Sequence, residues 1–228
     1  MYRLASVLLV LVLVSLNVSS QILPDYKAMY DFTNSDVSMK GVRELKTMED
    51  GTRSLSFKAK FPLGKIDISS EFHESQDLIT TNQYTMSAKF AFITQKRIVK
   101  FDQEAKTIGS SGKFEWEKSL PENLEIFDPL NAQIQIRKKV IQGAKTFSLL
   151  LPDIKTGEIE SNHYTLNADA ECEVGEVAYQ CKVVQRKRPQ DNNRITTYFL
   201  SPELGYLIVR MEDQDEKGDT LLQLKGLL

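Results

Sequence analysis

The chain has 228 residues, with 29 lysines and arginines against 31 aspartates and glutamates, which gives a net charge of −2. This balance leaves no basic excess to hold phosphate backbones, so nucleic acid is not an expected partner. No segment contains a sequence motif that identifies a reaction. The sequence therefore predicts the fold of the protein rather than an activity.

The N-terminus reads as a secretory signal peptide over residues 1–20. Residues 4–16 form an apolar run of about 13 residues, preceded by Arg3 and followed by small residues that suit cleavage before Gln21. A transmembrane helix needs roughly 20 apolar residues, so a retained signal anchor is the less favoured alternative.

The mature chain, residues 21–228, is predicted to be a single β-rich domain in the periplasm. About 208 residues are enough to bury roughly 70% of the unfolded surface in one core. No second apolar run would hold the chain in a membrane, and lipidation at the leader is excluded because the first cysteine is Cys172. The two cysteines fit an oxidising compartment.

Short alternating segments with frequent turns predict antiparallel sheet through the first half of the mature chain. Apolar and polar residues alternate from Tyr26 onward, and Asp50-Gly51 is a strong hairpin signal. The predicted strands lie at residues 26–32, 42–49, 55–61, 66–72, 78–86, 92–101 and 114–116.

One helix of about 14 residues is predicted near residues 129–142. Asp128 can cap it, Pro129 suits the first turn, and Gly143 can adopt the left-handed conformation that ends helices. Apolar pairs spaced by four, such as Leu130 with Ile134, give a stripe that would lie against the sheet. Residues 134–136 also alternate, which leaves a strand as the alternative.

The C-terminal part resumes the sheet at residues 147–151 and then reads as a four-stranded meander. A strand at residues 164–170 leads into this meander. Its four strands are predicted at residues 177–187, 194–200, 206–211 and 220–224. A four-residue loop from Gly175 to Ala178 would place Cys172 opposite Cys181, close enough for a disulfide. A two-residue turn at Gly175 and Glu176 would instead set Cys172 against Tyr179.

Several motifs together resemble the exported proteobacterial family known as domain of unknown function 3108. The motifs are Phe114-Glu115-Trp116, Asp128-Pro129-Leu130, the run 194–202, Tyr206-Leu207-Ile208-Val209-Arg210 and a closing Gly218. The family usually has Trp where Phe199 stands, Pro where Ile208 stands, and a more polar pair at Pro129 and Asn131.

The resemblance implies a single curved antiparallel sheet or half-open β-barrel of about 10–12 strands, similar in outline to periplasmic lipoprotein carriers. It brings no catalytic residues, because the family has no established reaction. On this basis we expect no enzyme activity and no cofactor. A hydrolase with a site assembled from distant positions is the third choice.

A metal site is not expected. His73, His163, Cys172 and Cys181 could supply four ligands, but the two cysteines have eight residues between them, whereas zinc ligands usually pair at shorter spacing. Nucleophile elbows, metalloprotease His pairs, Walker loops and dinucleotide glycine motifs are absent from the sequence.

The leading functional hypothesis is a binding protein that holds a lipid-like or other apolar ligand on the concave face of its sheet. A second hypothesis is an envelope interaction protein whose exposed sheet edges pair with a partner protein. Bulky residues expected at the groove, with simple core packing as the alternative, are Trp116, Tyr164, Phe199, Tyr206, Leu130 and Ile134.

Overall fold

A computed structural model describes residues 22–62, 64–76, 78–189, 193–216 and 218–228. The signal peptide predicted at residues 1–20 therefore lies outside the described residues. In this part of the chain the protein is mainly β, with fifteen strands in one large antiparallel sheet, one α-helix and one short 3₁₀ turn at Pro202–Leu204.

The strands follow one another closely along the chain. They are β1 (Tyr26–Thr33), β2 (Ser38–Thr47), β3 (Arg53–Phe61), β4 (Gly64–Glu74), β5 (Ile79–Phe90), β6 (Ile93–Asp102), β7 (Thr107–Gly112), β8 (Trp116–Ser119), β9 (Thr146–Pro152), β10 (Ile159–Leu166), β11 (Ala170–Val174), β12 (Val177–Lys187), β13 (Ile195–Ser201), β14 (Leu207–Asp215) and β15 (Gly218–Leu227).

The sheet consists of two meanders that meet at the two ends of the chain. Its order is β8-β7-β6-β5-β4-β3-β2-β1-β15-β14-β13-β12-β10-β9, with β11 paired to β12 off this path. Strand β1 pairs with β15, and Ala28 lies opposite Leu227. The sheet is barrel-like and not closed, as expected for a half-open barrel.

The structure has more strands than the predicted 10–12. One extra strand, β7, lies at Thr107–Gly112, where no strand is predicted, and another arises where one alternating run holds two strands. The run at residues 164–170 was predicted as one strand, but β10 ends at Leu166 and β11 begins at Ala170. Apolar residues stay in phase across the break, so alternation alone does not reveal it.

The predicted helix is confirmed as α1 (Asn131–Ile141), and the strand alternative at 134–136 is wrong. The Asp128 carboxylate accepts the backbone N–H groups of Leu130 and Asn131 at 2.7 and 3.0 Å, which satisfies two donors at the start of the helix. At the other end Gly143 has φ +77°, a conformation that glycine adopts without steric cost.

Helix α1 is buried on almost every side, and this differs from the single apolar stripe that the spacing predicts. Nine of its eleven residues are buried, including Arg137 and Lys138. The sheet curves around the helix instead of lying under one face of it, so α1 fills much of the concave side. Its apolar residues join the main core with side chains such as Phe72 and Leu200.

The two free edges of the sheet approach each other around the helix. Trp116 on edge strand β8 donates its indole N–H to the carbonyl of Ile154, just after edge strand β9, at 3.2 Å. A Cβ at Gly157 would stand 2.5 Å from the Trp116 ring, so only glycine leaves room for the indole. In the described residues no helix has the length and hydropathy of a membrane span.

Cys172 and Cys181 form the predicted disulfide, although not in the register that the four-residue loop implies. Gly175 and Glu176 form a two-residue turn, Cys172 lies opposite Tyr179, and Cys181 lies opposite Ala170. The bond therefore joins diagonal neighbours of β11 and β12, with Cα atoms 6.0 Å apart, within the usual span. Both cysteines are buried.

Loss of this disulfide is expected to lower the free energy of unfolding by about 2 to 3 kcal/mol, because the bond closes a short loop in the unfolded chain. The measurement is urea unfolding of the double variant Cys172→Ser, Cys181→Ser beside the oxidised protein. Dithiothreitol should shift the wild-type midpoint and leave that of the variant unchanged. An unshifted wild-type midpoint would contradict the prediction.

Candidate functional site

An apolar cavity of about 270 Å³ lies between the start of α1 and the concave face of the sheet. It is bounded by strands β1 to β5, β14 and β15, and by the residues leading into the helix. Its walls are mainly aliphatic, aromatic and methionine side chains. They are Phe32, Met39, Arg43, Phe57, Ile66, Ile68, Tyr84, Met86, Pro129, Leu130, Gln133, Met211 and Leu222.

The outer walls of this cavity are only partly covered. Phe32, Ile66 and Met86 are half-buried, so the cavity communicates with solvent on their side. Methionine has three rotatable bonds and a polarisable sulfur, which lets a surface adapt to ligands of different shape. The cavity is therefore an apolar site that a small ligand can enter.

Two polar side chains interrupt the apolar lining. Arg43, on the inward face of β2, is 3% exposed, and its Nε–H donates to the hydroxyl of Tyr26 at 2.9 Å. Gln133, on α1, donates its amide N–H to the carbonyl of Pro129 at 3.0 Å. The side-chain oxygen of Gln133 is buried and has no hydrogen-bond partner among the described residues.

A second buried arginine lies beside the first. Arg137, one helical turn beyond Gln133, is 2% exposed and donates from Nη2 to the carbonyl of Gly205 at 2.9 Å. Its guanidinium carbon stands 5.4 Å from the centre of the Tyr26 ring, the same tyrosine that Arg43 contacts. The Nε and Nη1 atoms of Arg137 are buried without an acceptor in the described part of the chain. Burial lowers the pKa of Arg137.

A separate group of buried charges is fully paired. The side chain of Glu74 is completely buried, with its oxygens 2.9 Å from Nη1 of Arg53 and 3.3 Å from Nζ of Lys138. Arg53 also contacts Asp25 at 3.0 Å and the carbonyl of Leu23 at 2.9 Å. This network fixes the C-terminal part of α1 to strands β3 and β4.

The start of α1 is held by a buried polar cluster around Asp128. The hydroxyl of Ser70 donates to the Asp128 carboxylate at 2.5 Å, and the Asn131 amide donates to the hydroxyl of Thr81 at 2.8 Å. Burial raises the pKa of Asp128 to about 6, although the hydrogen bonds from Ser70, Asn131 and Leu130 act in the opposite direction. This carboxyl group anchors the helix that forms one wall of the cavity.

The residues predicted for the groove do not form one surface. Leu130 lines the cavity, and Ile134 is fully buried in the main core. Tyr164 stacks on Phe147 with ring centres 5.0 Å apart, away from the cavity. Burial raises the pKa of Tyr164 above its ordinary value, and its hydroxyl has no partner among the described residues.

The other three predicted residues have structural contacts of their own. Trp116 packs at the meeting of the sheet edges, and Tyr206 packs against the main core. Phe199 follows the inward-facing Tyr198, so it points to the other side of the sheet, where the guanidinium of Arg210 lies 5.4 Å from its ring centre. Only Leu130 of the predicted set therefore belongs to the cavity.

Sequence reasoning missed the buried arginines, although the pattern contains a signal for them. Arg43 lies on the same face of β2 as the buried Met39 and Leu45. Arg137 is spaced by seven from Leu130 and by four from Gln133, so it shares their helix face. A charged residue in phase with buried apolar neighbours is a better indicator of this site than the aromatic residues were.

The histidines and cysteines do not come together. The cysteines are bonded to each other, His73 is exposed on β4, and the Nδ1 atom of His163 on β10 lies 2.8 Å from the Ser148 hydroxyl. Within the described ranges no group of three or more His, Cys, Asp or Glu side chains is placed to hold a metal ion.

Comparison with known proteins shows the fold but no function. No family model matches the chain, and no curated protein matches its sequence. Among solved structures the chain is similar to a beta-barrel-like protein of domain of unknown function DUF1849 from Brucella abortus. The TM-score is 0.58 with 12% sequence identity, and the alignment covers 90% of this chain and 98% of that one.

Proposed function

We propose that the protein is a binding protein of the periplasm that holds a small apolar ligand in the cavity between α1 and the curved sheet. The observation that carries this proposal is the cavity of about 270 Å³ with its almost entirely apolar walls. Apolar concave sites with a few placed polar groups are the usual form of small-molecule binding sites. No catalytic constellation enters this proposal.

The buried helix limits the size of the ligand. An apolar cavity of about 150 Å³ accommodates benzene, so a cavity of 270 Å³ has room for about ten carbon atoms. A longer chain would have to leave the cavity past the half-buried residues Phe32, Ile66 and Met86. The site therefore suits one short apolar chain rather than several acyl chains lying along an open concave face.

The proposed location and family rest on separate observations. The buried disulfide between Cys172 and Cys181 suits an oxidising compartment outside the cytoplasm. The secretory character of residues 1–20 supports the periplasm, and the motifs from Phe114 to Gly218 support membership of the family of domain of unknown function 3108.

A neutral apolar probe tests the proposed function. We expect 1-octanol to shift the methyl NMR signals of Met39, Met86 and Met211, which line the cavity, and to leave those of Met29 and Met48 unchanged. These two methionines lie outside the cavity and serve as internal controls. Equal shifts at all five methionines, or none, would overturn the proposal.

Filling the cavity should remove this binding. Leu130→Trp adds bulk to the cavity wall and is expected to weaken 1-octanol binding at least tenfold, since the probe and the indole compete for the same volume. The matched control is Leu124→Trp, because Leu124 is exposed and outside the cavity. The control variant should bind like the wild type.

A second candidate function is an envelope interaction module. The specific observation that favours it is the end of hairpin β5–β6, where Phe90 and Ile93 are more than half exposed and Phe92 is completely exposed. A photo-crosslinking amino acid at Phe92 should then capture a defined partner in cells, and one placed at the exposed Lys58, on the interior strand β3, should not.

A further inference from the structure

We propose that the ligand of the cavity is an anionic amphiphile, whose carboxylate binds the guanidinium of Arg43 while its apolar chain occupies the cavity. This inference rests on the proposed binding function and adds the chemical class of the ligand. It follows from an imbalance of buried charge at one end of the cavity.

Arg43 is a buried cation whose hydrogen-bonding capacity is mostly unused. A guanidinium has five N–H donors, and among the described residues Arg43 has one hydrogen-bond acceptor, the hydroxyl of Tyr26. No carboxylate of the described residues lies within ion-pair distance of it. Arg43 nevertheless lines the cavity, which is the side from which a ligand would approach its guanidinium.

Arg137 adds a second positive charge close to the first. Arg137 is 2% exposed. Among the described residues it makes one hydrogen bond, to the neutral carbonyl of Gly205. Both arginines contact Tyr26, one through the hydroxyl and one over the ring. The end of the cavity at Arg43 therefore carries two cations, and among the described residues neither has a carboxylate within ion-pair distance. Glu74, which acts on Arg137 electrostatically, is already paired with Arg53 and Lys138.

The imbalance is local, because the other buried cations have a partner. Arg53 and Lys138 share the buried carboxylate of Glu74. A buried charge without a counterion is costly, and removing water from it is compensated only by an opposite charge with good geometry. A ligand carboxylate supplies both the charge and two acceptor oxygens in the spacing that a guanidinium recognises.

The chemistry next to Arg43 determines the rest of the ligand. Phe57, Met211 and Leu222 line the same cavity and give an incoming molecule apolar contacts only. An inorganic anion would leave this surface unused, and a neutral hydrocarbon would leave the guanidinium unpaired. A carboxylate on an apolar chain of about ten carbon atoms or fewer satisfies both parts of the site.

The experiment compares octanoate with 1-octanol, which have the same chain and differ in head group. In wild-type protein at pH 7 we expect octanoate to bind at least tenfold more tightly, measured by titration of the Met39, Met86 and Met211 methyl signals. Binding of 1-octanol without a preference for octanoate would overturn this inference and leave the proposed function standing. Binding of neither would overturn both.

Three variants assign the preference to the arginines. Arg43→Met should lower octanoate affinity at least tenfold relative to that of 1-octanol and so abolish the preference for octanoate. Arg137→Met should give a smaller loss, because Arg137 is behind Arg43. The matched control is Arg186→Met, a half-buried arginine on β12 whose Nε–H donates to the side-chain oxygen of Asn162 outside the cavity, and it should not change either affinity.

A stability measurement separates ligand binding from a structural role. The melting temperature of ligand-free Arg43→Met should equal or exceed that of the wild type, since an apolar side chain replaces an unpaired charge. Should Arg43→Met fail to fold, Arg43→Lys retains the charge without the planar fork and should bind octanoate with intermediate affinity. Wild-type octanoate affinity in Arg43→Lys and Arg137→Met together would overturn the inference.

Discussion

Replacing Glu74 by alanine is expected to lower the free energy of unfolding by about 3 to 5 kcal/mol, because Arg53 and Lys138 would remain buried without their shared anion. For a domain of this size, that loss corresponds to a melting temperature lower by roughly 6 to 20 °C. Thermal unfolding of Glu74→Ala followed by circular dichroism measures the effect.

The matched control for this prediction is Glu71→Ala. Glu71 belongs to the same strand, β4, but is exposed, and surface substitutions usually change stability by less than about 0.5 kcal/mol. The double variant Glu74→Gln, Lys138→Met should recover part of the loss, because it removes one of the unpaired charges. Similar melting temperatures for Glu74→Ala and Glu71→Ala would show that the network does not stabilise the fold.

The second large effect is a dependence of stability on pH that comes from Asp128. Burial raises the pKa of Asp128 to about 6, whereas the ordinary value for an aspartate is 3.8. Below about pH 4 the carboxyl group is protonated in both the folded and the unfolded protein, and its contribution to the free energy of unfolding has its full value. Between about pH 4 and pH 6 the carboxyl group is ionised in the unfolded chain and protonated in the folded protein, so about 3 kcal/mol of stability is lost progressively over this range. The loss is complete above pH 6, where the folded protein ionises as well.

Asp128→Asn isolates this contribution. An asparagine keeps an acceptor for the N–H groups of Leu130 and Asn131 and does not titrate. The variant should therefore gain about 3 kcal/mol relative to wild type between pH 4 and pH 7, measured by urea unfolding at several pH values. The comparison variant is Asp219→Asn, at an exposed position of β15, and a parallel change in both variants would contradict the assignment to Asp128.

The regular elements were predictable because each depends on local rules. Alternation of apolar side chains located most strands, and Asp128 and Gly143 bounded the helix to within a few residues. The break between β10 and β11 was not predictable, because residues 164–170 alternate without interruption. Both strands pair with β12, but their registers differ by one residue, and β10 also pairs with β9. Strand pairing depends on contacts between distant segments, which a local pattern does not contain.

The surroundings of the helix were harder to predict than its position. Apolar residues spaced by four suggested one buried face, yet Arg137 and Lys138 are buried as well, because the sheet wraps around α1. The sequence places Arg43 among buried positions of β2. Which side chains surround its guanidinium depends on the packing of distant strands, which the local pattern does not give. The residues predicted for the groove share only their large side chains, and large apolar side chains pack at many places in a core.

The pairing of β1 with β15 has a consequence for biogenesis. Among the described strands the first, β1, is hydrogen-bonded to β15, since Ala28 lies opposite Leu227. Until that strand arrives, β1 presents an open row of amide and carbonyl groups to which other nascent chains could attach. Contacts this remote in sequence also form slowly. The complete sheet can thus form only after β15 has been synthesised and has reached β1.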